Sequence, residues 1–148
     1  MTIFLISMLS VSSYGYGQKM TIKVENYGDY PKVIIKDFDL TYYKGSRDKA
    51  VADIDLTNIS GIPSNAKVKR IVLGGRCIEN VGNMHKEIRC LQTDTVYSTQ
   101  YHLDNVRNLD SNLKVKQKWK VMFWFERIYD RYSNSGTWKP EVEIYLEP

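Results

Sequence analysis

Little in this chain points to a helical fold or to catalysis. Only three of its 148 residues are alanine, and no segment carries apolar residues at helical spacing. The best helix candidate, 104–113, is short and interrupted by asparagines. There is no Cys-x-x-Cys, no His-x-x-x-His, no Gly-x-Ser-x-Gly elbow and no phosphate loop. Repeats and low-complexity stretches are missing too. The chain therefore offers no motif for a metal or cofactor, and none is expected.

Charge is missing from the first seventeen residues. Ile3 to Val11 is apolar or small, and small residues follow at Ser13, Gly15 and Gly17. An apolar run of about nine residues cannot span a bilayer, which takes roughly 20. With the small residues behind it, it reads as an export signal over 1–17. The usual leading Lys or Arg is absent, and the competing reading is a buried strand. Export implies a periplasmic or extracellular protein with a mature start between Tyr16 and Gln18. The remaining residues, 18–148, suit a single domain with its own core.

What the chain does have is alternation. Ile22 and Val24 alternate with Lys23 and Glu25. Phe38, Leu40 and Tyr42, in step with Ile34, alternate with Asp37, Asp39 and Thr41, although Lys36 interrupts the apolar face. Ala52, Ile54 and Leu56 do the same against Asp53 and Asp55, and Val142, Ile144 and Leu146 close the series. Period two with one wet face is the habit of antiparallel sheets. The strongest strand signal lies in 113–129, around Val121 to Phe125. Seven to nine short strands separated by turns predict an all-β antiparallel β-sandwich, immunoglobulin-like only in the loose sense. The expected core is Ile34, Phe38, Leu40, Ile54, Leu56, Val121, Phe123, Phe125, Val142 and Ile144.

Cys77 and Cys90 are the only cysteines. The stretch 76–91 can fold as a hairpin with Gly82-Asn83 near its tip, and an exported protein would then join the two in a disulfide. The chain-entropy estimate for such a loop is about 3 kcal/mol.

Candidate binding residues come from one unusual run. Lys114, Lys116, Lys118 and Lys120 alternate with Leu113, Val115, Gln117 and Trp119. On one strand all four would share a face over about 20 Å, at about 3.4 Å per residue. Such a row suits a polyanion; alternatively it protects a sheet edge from pairing with other chains. Trp124 shares the lysines' parity and, with Trp138, could stack on a sugar ring or anchor a protein. Asp37/Asp39 and Asp53/Asp55 have the spacing of paired hydrolase carboxylates, but solvated acids on wet strand faces lack the required perturbation. His85 and His102 read as surface histidines, and Asn58-Ile59-Ser60 is a glycosylation sequon.

The leading expectation is thus a non-catalytic binding module that recognises a protein or another surface macromolecule. A module for an anionic glycan or other polyanion on the Lys114–Lys120 face is the first alternative. A hydrolase with a scattered site is the second. Nucleic acid is the weakest polyanion candidate, because the glycines of the RNA-recognition strand signature are missing.

Overall fold

The computed structural model describes residues 19–26, 31–100 and 103–147. The expected export segment, His102 and most of the turn at 26–31 lie outside them. Within the described residues there are nine strands and no helix. They are β1 (Thr21–Glu25), β2 (Lys32–Lys36), β3 (Leu40–Tyr43), β4 (Ala50–Asp55), β5 (Val68–Cys77), β6 (Val81–Cys90), β7 (Thr95–Ser98), β8 (Lys118–Ile128) and β9 (Ser135–Leu146). All pairings are antiparallel and fall into two sheets, as expected for a β-sandwich. One sheet runs β4-β8-β6-β7. The other is built on β9, which carries β5 on one side and both β2 and β3 on the other, with β1 outside β2.

β9 is longer than its sequence suggests, because it passes through Pro140. Proline cannot donate to a ladder and is normally kept out of central strands. Here β3 pairs with Ser135 to Trp138 and β2 with Val142 to Tyr145. Pro140 thus falls where the partner on that side changes and the ladder is already interrupted. Opposite it, on β5, stands Gly75 with φ of 101°. A Cβ there would lie 2.0 Å from the Lys139 carbonyl oxygen, so only glycine fits.

The break between β2 and β3 also corrects the phase read for this stretch. Val33 and Ile35 point into the core, and so do Phe38, Leu40 and Tyr42. The step from odd to even positions is made at Asp37, whose φ of 63° takes it into the left-handed region. Ile34 therefore turns to the other face. It is buried between Lys23 and Glu143 of the neighbouring strands, outside the core cluster. The other nine expected core residues are buried in a single cluster shared by both sheets.

The hairpin expected over 76–91 does not form. The turn after β5 carries the chain into the other sheet, where β6 pairs with β7 and β8. Cys77 ends opposite Trp138 in one sheet, and Cys90 opposite Trp119 in the other. A ten-residue strand separates them, about 30 Å of extended chain. A disulfide needs Cα atoms within about 7 Å, so both thiols are free. Cys90 is buried and its Sγ donates to Gln117 Oε1 at 2.7 Å. Burial is the main cause that pushes the Cys77 thiol up from its ordinary value.

One side of the sandwich is closed by a strap at 103–107. Val106 N donates to the Ile71 carbonyl and Leu73 N to that of Asp104, while Arg107 N donates to Ser98. The strap thereby covers the outer edges of β5 and β7, one in each sheet. Beneath it, Lys86 points inward from β6 and is only 3% exposed. Its ammonium donates to the Leu73 carbonyl at 2.7 Å and pairs with the Asp104 carboxylate.

Candidate interaction surface at the loop end

Three connections meet at one end of the sandwich: the β3–β4 turn, the β5–β6 turn and the β8–β9 loop. Backbone bonds tie them together. Lys44 N donates to Asn134 O, Tyr129 N to Asn80 O and Ile78 N to Thr137 O. Side-chain carboxylates finish the tie, since Asn80 N donates to Asp130 Oδ2 at 2.9 Å and Thr137 N to Glu79 Oε2 at 2.6 Å. The end is therefore a set of loops fixed against one another.

These fixed loops present large apolar side chains to solvent. Tyr132 is 94% exposed, Tyr43 and Tyr129 are each 59%, and Ile78 is 58%. Tyr43 is displayed because β3 alternates, burying Leu40 and Tyr42 and turning Thr41 and Tyr43 outward. Gly82 lies beside the Tyr129 ring, and a Cβ on it would come within 2.6 Å of the Tyr129 hydroxyl. Scattered single apolar residues on a surface are ordinary, but a group of them is not. Lys44, Arg47, Arg76 and Arg131 stand exposed on the same end, and the Arg131 guanidinium lies 6.0 Å from the Tyr132 ring centre.

Next to this end, on the outer face of the β4-β8-β6-β7 sheet, Trp124 is covered from both sides. His85 on β6 stacks on it with 4.5 Å between ring centres and 2° between planes. From the β4 side, the Lys49 ammonium sits 3.9 Å from the ring centre, near enough for a cation–π attraction. Lys49 also pairs with Glu87 at 3.3 Å, and His85 Nε2 is 3.6 Å from Glu126.

The residues singled out in the sequence are scattered by the fold. Trp138 is fully buried on β9 and donates Nε1 to the Gly74 carbonyl at 3.1 Å, which removes it as a contact residue. Lys114 to Lys120 keep their alternation with buried Leu113, Val115, Gln117 and Trp119, yet they do not share one strand. β8 begins only at Lys118, and the chain bends at 115–117, where Gln117 N donates to the Val115 carbonyl. Lys114 lies before the bend and bridges to Lys67 beside β5. Lys118 and Lys120 lie after it, opposite Asp55 and Asp53 of β4. Lys120 is 3.8 Å from Asp53.

Three of the four paired acids are tied locally, whereas Asp37 is exposed at the left-handed turn before β3. Asp55 takes hydrogen bonds from Thr57 N and Oγ1, and the hydroxyl bond is the first cause that holds its carboxyl below its ordinary value. Asp39 sits 3.4 Å from Lys139. The exposed tyrosines of the loop end were not singled out from sequence, because isolated Tyr in turn-rich segments gives no periodic signal. Compared with protein-family models, curated proteins and solved structures, the chain matches none of them.

Proposed function

We propose that this chain is an exported, non-catalytic interaction module that recognises a protein or other macromolecule through its loop end. The observation that carries the reading is the group Tyr43 at the end of β3 and Ile78, Tyr129 and Tyr132 on the neighbouring connections, exposed where those connections are already locked to one another. Tyr, Arg and large apolar residues are the usual anchors of binding interfaces. Loops held in place before binding lose little freedom when a partner arrives. The uncharged, apolar start of the sequence supports export. A hydrolase is less well supported, since Asp53, Asp55 and Asp39 are each engaged with a neighbouring Lys or Thr.

The test is site-specific photocrosslinking in the cells that make the protein. A photoreactive residue at position 132 should yield one discrete adduct, while the same group at exposed Asn112, far from the loop end, should not. Replacing Tyr43 and Ile78 by Ser should abolish that adduct without altering the thermal midpoint. Mass spectra of the purified protein read export at the same time, with a mature start between Tyr16 and Gln18. Equal adducts from both positions would overturn the surface, and an intact Met1 would overturn export.

A further inference from the structure

The strap covers one edge of the β4-β8-β6-β7 sheet, at β7, and β4 forms the other. β4 pairs with β8 without a break from Ala50 opposite Phe123 to Asp55 opposite Lys118. One step further in the same register, Leu56 N donates to the Gln117 carbonyl. Antiparallel ladders alternate, so positions 50, 52, 54 and 56 turn their N–H and C=O groups towards β8. Those of Val51, Asp53 and Asp55 point away from the sheet. Among the described residues, no backbone group bonds to them there.

Proline and bulges, two usual devices for closing an edge, are missing from β4. Its outer face carries Val51, 46% exposed and directly opposite Met122 of β8. Met122 is buried on this face, outside the core cluster. On either side of Val51 stand Ala50 and Ala52, and beyond them Lys49 and Asp53. The order Lys-Ala-Val-Ala-Asp is self-complementary: read against its own reverse, it sets cation against acid, alanine against alanine and valine against valine.

We infer that β4 pairs antiparallel with β4 of a second copy about a two-fold axis at Val51, joining two four-stranded sheets into one. Only registers that set odd positions against odd ones align the outward donors and acceptors. Centred on Val51, the valines form a hydrogen-bonded pair and Lys49 faces Asp53 of the other copy. Ala50 then faces Ala52 in the pair type where side chains come closest, and both are small. An axis at Asp53 would oppose that acid to its own copy, and like charges directly opposite are destabilising. An axis at Ala52 would set each Val51 against an aspartate. Within their own sheet Lys49 lies 3.3 Å from Glu87 and Asp53 3.8 Å from Lys120. The pairing does not need these charges to be free, because its bonds are made by backbone and the charges only choose the register. A strand from an unrelated protein would find the same backbone groups without this symmetry.

This surface is independent of the loop-end reading, and its test separates the two. A single strand pair belongs with the small, weak interfaces, below about 1,200 Å². Sedimentation equilibrium therefore runs from about 10 μM to about 1 mM, where weak pairs become populated. The wild type should pass from monomer to dimer across that range. Val51→Pro removes an outward N–H and no bond between β4 and β8, and should weaken the dimer about tenfold or more at an unchanged thermal midpoint. Val51→Lys, which keeps the strand intact and sets two ammonium groups at the axis, should do the same. Lys49→Asp should weaken it as well, and adding Asp53→Lys should restore it. Oxidised Val51→Cys should give a covalent dimer, since a hydrogen-bonded pair has Cα atoms about 5.5 Å apart, and Asp53→Cys should not. The serine variant at Tyr43 and Ile78 should dimerise like the wild type. The pairing is overturned by a wild type that stays monomeric throughout, by a Val51→Lys variant that dimerises normally, by equal crosslinking from positions 51 and 53, or by loss of the dimer in the serine variant.

Discussion

Phe123 shows how far a single residue can be read. It sits in the middle of the strongest strand, is fully buried, and lies 5.7 Å from Trp138 and 6.0 Å from Phe125 between ring centres. Phe123→Ala should cost about 3–5 kcal/mol, the sum of lost transfer energy and the cavity left behind. Urea unfolding measures this, and a loss under about 1 kcal/mol would mean that the ring contributes little to the core. Its burial could be read from parity, as could that of Ile54, Leu56, Val142 and Ile144. Ile34 could not, because Asp adopts the left-handed region only in some of its turns, and where it does so at Asp37 it shifts the phase by one. The tryptophans divide in the same way. Trp124 could be assigned to an outer face from its parity with the lysines, but Trp138 follows a turn-rich stretch and gave no hint that β9 starts three residues before it.

Among elements, β5 and the strap differ most from the sequence reading. Cys77 and Cys90 suggested a hairpin because local turn signals say where a chain reverses and not which sheet it joins next. The strap at 103–107 is equally silent in sequence, since polar residues that bond edge backbone look like any loop. Its anchor can be tested at Asp104, the carboxylate that meets buried Lys86. Asp104→Ala leaves the ammonium with the Leu73 carbonyl, a loss of about 1–3 kcal/mol by the cost of an underpaired buried group. Hydrogen exchange should show the amides of Leu73 and Val106, both bonded within the strap, opening first. Unchanged protection at those two amides would show that Lys86 does not hold the strap.

For the molecule as a whole, ionisation sets a stability plateau with two limits. In Glu143, burial raises the carboxyl, but hydrogen bonds from Tyr145 and Lys32 and the charges of Lys32 and Arg70 outweigh it, leaving it below its ordinary value of 4.5. Asp55 is likewise held below 3.8 by Thr57. Groups depressed by folding contribute fully above their unfolded values and lose that contribution as pH falls through the folded ones. The acid limb therefore lies below those two values. At the other limit, burial and the hydrogen bond to Asp110 push the Tyr97 hydroxyl up from 10 to about 12. A raised group contributes below its unfolded value, so stability should fall as pH rises from 10 towards 12. Urea midpoints across pH read both limbs. Glu143→Gln should make the acid limb shallower and Tyr97→Phe the alkaline one, whereas limbs identical to wild type would exclude these two groups.

The place of β9 in its sheet bears on how the chain is made. β2, β3 and β5 have no hydrogen-bonded partner in common except Ser135–Leu146. Until those residues leave the ribosome, half of the sandwich is reduced to the β1–β2 hairpin, and one face of the core has no cover. Two-stranded hairpins are marginal by themselves in water. The sandwich therefore closes only when β9, the last of its described strands, has been made. For the export proposed above, a chain that folds this late would still be thin enough to be threaded through a translocation pore.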